Sequence, residues 1–171
     1  MKKLKIFILL GCLLCTLSAC TSKEAFKKEE IDVAALQEMI SEKQDFVLLI
    51  ERDNCPYCQA LNEYLEQSQD EHPNTVVYVL DITDLDMKKP TDEAKTLVST
   101  TADGKTLLKI VPYFYYTPTM YRFEEGVPVE AAIGYNSSTY EISLWDVTST
   151  IDFDTAQTEN AWTFIEDGQA S

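Results

Sequence analysis

Apolar positions along the chain change period from segment to segment, and each change marks an element. Val33, Leu36, Met39 and Ile40 recur at helical spacing around Gln37, with Asp32 placed as an N-cap. Phe46 to Ile50 is a continuous apolar run closed by Glu51, the pattern of a strand buried on both faces. Residues 56 to about 68 read as a helix with Leu61, Tyr64 and Leu65 on its inner face; Pro56 suits the first turn, where its missing N–H has no partner to lose. Residues 76–82 form a second strand, β-branched and mostly apolar. A loop is expected over 84–89, a helix from about 92 to 99, and a turn at Asp103-Gly104. Residues 119–123 and 127–131 predict an antiparallel hairpin joined through 124–126. A last helix is expected from 139 to about 149 on Ile142, Trp145 and Val147. Beyond it, an acidic tail over 152–171 carries Phe153, Trp162, Phe164 and Ile165; whether part of it docks back as a helix is left open.

The first 19 residues are of a different kind. Lys2, Lys3 and Lys5 precede an apolar run from Ile6 to Leu17, and small residues lead to Cys20. A charged start, a short apolar core and a small-residue cleavage point describe a secretory signal peptide. The apolar core falls short of the roughly 20 residues that span a bilayer. Leu17-Ser18-Ala19-Cys20 resembles a bacterial lipobox, in which the cysteine is acylated and becomes the new N-terminus. The expected product is a chain held at the extracytoplasmic face of a bacterial cell membrane through Cys20. Residues 20–30, rich in Lys and Glu, read as its tether.

Cleavage removes Cys12 and Cys15 and leaves 152 of the 171 residues, enough for one domain with a sizeable core over 31–151. Losing three of the 14 basic residues leaves 11 against 29 acidic ones, a formal charge of −18. So acidic a surface opposes nucleic acid and anionic lipid headgroups, so any membrane link is the acyl anchor.

Two free thiols remain, in Asn54-Cys55-Pro56-Tyr57-Cys58, between the first strand and the helix after it. Unpaired N–H groups and the macrodipole at a helix N-terminus stabilise a negative sulfur. That lowers the thiol pKa and makes Cys55 a usable nucleophile. Cys58, one turn on, is placed to resolve a mixed disulfide. Other readings are a buried pair or half of a metal site. Structural zinc needs four Cys or His ligands, and Cys55, Cys58 and His72 are too few. The scattered cysteines of a disulfide-stapled scaffold are missing.

Strand–helix alternation followed by a hairpin points to an α/β fold, a central mixed sheet flanked by helices on both faces. At this point the chain resembles the thioredoxin superfamily. One block is the strand leading into the CPYC dithiol. The other is Thr117-Pro118-Thr119, then Phe123, Gly126 and Gly134, at spacings similar to the cis-proline, strand and glycines of thioredoxins. The Pro-Tyr dipeptide is typical of glutaredoxins. With the lipoprotein signal, the chain resembles extracytoplasmic thioredoxin-like proteins of Gram-positive bacteria, including the group named bacteriocin transport accessory proteins.

The resemblance implies that Pro118 is cis and faces the dithiol, turning the Thr117 backbone outward to pair with an extended substrate. Pro56 and Tyr57 join Thr117 as candidate substrate contacts. Thioredoxins carry a buried Asp six residues before the first cysteine, where this chain has Leu49. Glu51 points to the same strand face and could act as the base for Cys58 if partly buried; a solvated strand-end carboxylate is the alternative. Asn54 replaces the usual Trp, and Arg52 is either an aid to the thiolate or a surface cation. The dithiol-to-proline segment is longer than in compact thioredoxins, an insertion before the cis-proline around 87–116. Its run Tyr113-Phe114-Tyr115-Tyr116 either packs in the core or adds to a protein-binding surface.

The function expected is a membrane-anchored thiol–disulfide oxidoreductase acting on protein or peptide thiols and disulfides, needing no organic cofactor or metal and drawing on a membrane redox partner. Three rivals stand beside it. A glutathione-dependent glutaredoxin is suggested by Pro-Tyr, but the basic residues expected for an anionic tripeptide are few in this chain. A non-enzymatic adaptor of a secretion or bacteriocin-export system would tolerate Cys-to-Ser changes. A metal chaperone would carry stoichiometric metal.

Overall fold

A computed structural model of the chain describes residues 23–169, so the signal segment and Cys20 lie outside the described residues. Seven strands form one mixed sheet: β1 (Lys27–Glu30), β2 (Phe46–Glu51), β3 (Val76–Asp81), β4 (Thr119–Glu124), β5 (Val127–Asn136), β6 (Glu141–Trp145) and β7 (Gln157–Asn160). Their spatial order is β1-β3-β2-β4-β5-β6-β7. The first three run parallel to one another, and every pairing from β2–β4 onward is antiparallel.

Four helices cover the two faces: α1 (Val33–Ser41), α2 (Pro56–Ser68), α3 (Ala102–Ile110) and α4 (Ala161–Asp167). The apolar run of β2 explains why both faces are dry. Its Val47 and Leu49 meet Leu61 and Leu65 of α2 and Trp162, Phe164 and Ile165 of α4. Phe46, Leu48 and Ile50 point the other way, to Val33, Leu36 and Met39 of α1 and to Leu107 of α3. Alternating side chains from one strand thus serve two cores. Helix α1 begins where expected, the Asp32 carboxylate accepting the Ala35 N–H at 2.8 Å. The hairpin turn also lies where expected, with Gly126 at φ +76° and its N–H donated to the Gln44 carbonyl at 3.0 Å.

Five expectations are corrected. Residues 92–99 are not helical: Lys88 and Val98 exchange both backbone hydrogen bonds, at 2.9 and 2.8 Å, and hold that stretch as a closed loop. The helix comes later, and Asp103-Gly104 lies inside its first turn, because Thr101 caps it through the Gly104 N–H at 3.0 Å. Gly104 answers a close approach, not a turn; a Cβ there would lie 2.7 Å from the Leu85 carbonyl.

Residues 139–149 hold strand β6 in place of a helix. Ile142 and Leu144 face the α2–α4 core at a period of two, and pairing to β5 and β7 on either side overrides the local helical spacing. The tether reading of 20–30 ends at Lys27, where the chain joins the sheet as an edge strand beside β3. An edge tolerates its charged sequence, and Phe26 is buried just before it. Finally, the acidic tail supplies β7 and α4. Asn160 caps α4 through the Trp162 N–H at 2.9 Å, and the Trp162 indole donates to Ser68 Oγ at 2.7 Å and stacks on His72 at 4.0 Å. The fold therefore extends past residue 151.

Candidate active site

The register of the sheet brings the two sequence blocks together. Thr119 at the start of β4 sits between Ile50 of β2 and Ile133 of β5, so Pro118 lies beside the end of β2, from which the chain runs to Cys55. The Thr117–Pro118 peptide is cis and Pro118 is buried, its carbonyl accepting the Gly134 N–H at 2.9 Å.

Cys55 is the N-cap residue of α2, with Pro56 next in the first turn. Its sulfur accepts the Cys58 N–H at 3.3 Å and the Thr117 hydroxyl at 3.4 Å, and as a thiol it donates to the Thr117 carbonyl at 3.2 Å. Burial alone raises the Cys55 pKa. The donors facing the sulfur, from Cys58, Thr117 and the backbone at Tyr57, outweigh it and hold the pKa below the ordinary thiol value. Cys58 behaves oppositely. Burial, reinforced by the hydrogen bond to Cys55, pushes it up to about 12, against smaller lowering effects from the Arg52 backbone and Thr117. Two thiols one turn apart are therefore split, one prepared to ionise and one kept protonated.

This split carries a prediction. In the reduced protein, alkylation of Cys55 should follow an apparent pKa below the ordinary thiol value of about 8.5, with Cys58 silent across the same range. Thr117→Val removes a donor that favours the charged sulfur, so it should move that pKa upward. A pH profile of the alkylation rate that stays put, or shifts down, would remove Thr117 from the set that tunes the thiolate.

The other expected site residues are placed as follows. Glu51 is mostly buried, and its carboxylate accepts from Asn62 Nδ2 at 2.9 Å with Lys28 Nζ at 3.8 Å. Glu51 is therefore not a solvated carboxylate, and among the described residues no hydrogen bond joins it to Cys58. It bridges α2 and β1. Leu49, in the position of the usual Asp, is fully buried in the α2–α4 core. The Arg52 side chain is exposed, as are Pro56 and Tyr57 at the mouth of the site. His72 pairs with Glu166 through Nδ1 at 2.7 Å, and no group of three or more His, Cys, Asp or Glu suited to a metal occurs among the described residues.

The aromatic run divides between its two readings. Phe114 is buried in the α1–α3 core. Tyr115 donates its hydroxyl to the Ala94 carbonyl at 2.7 Å, and Tyr116 is half exposed, edge-on to Tyr115 and to Phe153. These rings wall a groove of about 650 Å³ that opens beside Cys55, Tyr57 and Thr117. Its far wall is made by Tyr135, Asn136, Glu141, Ser143, Phe153 and Thr158. Sequence reading missed that wall. The only signal for it was Phe153, an aromatic residue in an otherwise acidic segment.

Sheet order, the dithiol at the β2–α2 junction and the cis-proline against it define a thioredoxin-like fold. No protein-family model matches the sequence, and no curated protein matches it. Among solved structures it is similar to the short form of thioredoxin f from spinach chloroplast, at 18% identity over 69% of this chain and 90% of that one, TM-score 0.46. Thioredoxin f2 of Chlamydomonas reinhardtii is similar at 13% identity over 66% and 89%, TM-score 0.46. Oxidized thioredoxin O2 of Arabidopsis thaliana is similar at 14% over 66% and 86%, TM-score 0.43.

Proposed function

We propose that this protein is a thiol–disulfide oxidoreductase, working at the extracytoplasmic face of a bacterial cell membrane and anchored there through acylated Cys20. The observation that carries the chemistry is the split pair, with Cys55 capping α2 under three donors and Cys58 buried behind it. The anchoring is supported by the signal-like N-terminus and the Leu-Ser-Ala-Cys sequence.

In the reducing direction the Cys55 thiolate attacks one sulfur of a substrate disulfide. The substrate S–S bond breaks, a mixed disulfide forms, and the departing sulfur leaves as a thiolate that takes a proton from water. Cys58 then gives its proton to water and attacks the Cys55 sulfur; the Cys55–substrate bond breaks, the Cys55–Cys58 disulfide closes, and the second substrate sulfur leaves as a thiolate that takes up a proton. Two electrons pass from the dithiol to the substrate, and the reverse sequence oxidises a substrate dithiol. Thr117, half-buried against the Cys55 sulfur, and the exposed Pro56 and Tyr57 at the mouth would be the contacts of a protein or peptide partner, the Thr117 carbonyl becoming free to pair with it once Cys55 ionises. An external thiol–disulfide partner, such as a membrane redox protein, resets the couple. The reading is tested by whether Cys55 and Cys58 form a reversible two-electron couple.

A further inference from the structure

The groove beside the dithiol is larger than a disulfide needs, and beyond Cys55, Pro56, Tyr57, Thr117 and Gly134 its walls come from segments outside the dithiol and proline blocks. One wall comes from the stretch before the cis-proline (Met87, Leu97, Tyr115, Tyr116), the other from the end of β5, from β6 and β7, and from the loop joining those two. Among the residues lining it only Arg52 and Glu141 are charged. Glu141 opens β6, is partly buried, and its carboxylate has no hydrogen bond or ion pair among the described residues. Phe153 lines the same wall and is half exposed, whereas the Tyr135 ring turns into the α2–α4 core against Tyr64.

A polypeptide lying along this groove would cover Glu141. Burying an unpaired carboxylate is costly, and the cost is relieved when the covering segment brings its own cation. The exposed rings of Tyr116 and Phe153 in the same groove suit the stem and charge of a lysine or arginine. An acidic residue at the β6 end of the groove would instead meet Glu141 and a chain with 29 acidic residues against 14 basic ones; the groove's one cation, Arg52, lies at the dithiol end, three positions before Cys55.

We propose that this groove is a subsite for a basic polypeptide segment, with Glu141 receiving a lysine or arginine and Tyr116 and Phe153 holding an adjoining apolar side chain. The placement of the substrate's cysteine over Cys55 rests on the exchange reading above. From β2, which leads to the dithiol, to β6 is three strand spacings, about 14 Å, or roughly four residues of extended chain. The basic residue should therefore lie about four positions from the cysteine.

The test uses the chain from Thr21 onward, which holds every element of the fold. The probes are synthetic peptides with one aromatic residue, serine in place of cysteine, and Lys, Gln or Glu about four positions away on either side. Binding is read by fluorescence anisotropy. The Lys peptide should bind about fivefold tighter than the Gln peptide, with Glu weakest, and the spread should narrow as salt rises. Glu141→Gln should bring the three within about twofold of one another, and Glu141→Asp should restore the order. No binding by any peptide, no charge preference, or a preference that survives Glu141→Gln would overturn the proposal. The same peptides with cysteine restored, as mixed disulfides with a small neutral thiol, report exchange separately. If no disulfide reacts, the exchange reading fails while the serine peptides still decide the groove. Exchange that is indifferent to Lys or Glu counts against the groove alone.

Discussion

Cys55→Ser should reduce disulfide exchange to the background rate, whereas Cys58→Ser should keep the first attack and lose turnover. The asymmetry follows from the thiol environments. Cys55 is the sulfur stabilised as an anion at the start of α2, so its loss removes the nucleophile itself. Cys58, raised to about 12, contributes only once Cys55 is engaged, so its loss strands the mixed disulfide. The check is mass spectrometry of each variant after mixing with a disulfide-bonded peptide. A stable adduct on Cys58→Ser and none on Cys55→Ser is expected. The reverse pattern would exchange the two roles, and wild-type behaviour from both variants would favour the adaptor reading.

A chain ending at Ile151 should not fold cooperatively. Trp162, Phe164 and Ile165 of α4 are almost wholly buried against β2, β3 and α2, and Gln169 ties the end of α4 to Val76 of β3 through its side-chain oxygen at 2.8 Å. Emptying one large aromatic site in a core costs about 3–5 kcal/mol, against a total stability of about 5–15 kcal/mol for a domain. Trp162 and Phe164 alone therefore account for most of that margin. The milder variant Trp162→Ala should remain folded and melt roughly 10 °C lower. Thermal unfolding followed by circular dichroism checks both. A truncated chain that melts cooperatively near the full-length midpoint would mean that α4 is an ornament on a self-sufficient domain.

What was legible in the sequence divides by the origin of the signal. β2, α2 and the β4–β5 hairpin were readable because their signals are local: an unbroken apolar run, a proline at a helix start, a glycine in a turn. The approach of Pro118 to Cys55 came from resemblance between two separated blocks, and sheet register places them side by side. β6 was misread because Ile142, Trp145 and Val147 satisfy a helical spacing nearly as well as a strand's, and only pairing with β5 and β7 decides between them. β7 (Gln-Thr-Glu-Asn) and β1 (Lys-Lys-Glu-Glu) have no apolar signature at all, being edge strands held by backbone hydrogen bonds. Glu51 shows the same limit at the site. Strand alternation correctly gives its face, but its engagement with Lys28 depends on β1, which looked like tether. Most of the far wall of the groove was hidden for that reason too, since beyond the end of β5 it is built from the segments misread as helix and tail.

The measurement that bears most directly on the function is equilibration of the chain from Thr21 onward against defined mixtures of reduced and oxidised small thiols, with the fraction of Cys55–Cys58 disulfide quantified at each ratio. A single reversible two-electron transition is expected, between about −270 mV, typical of reductants, and about −120 mV, typical of oxidants. A midpoint near the first value would make the protein a reductase fed by a partner, and one near the second a disulfide donor. If Cys55 and Cys58 form no reversible disulfide at any ratio, the oxidoreductase reading is wrong.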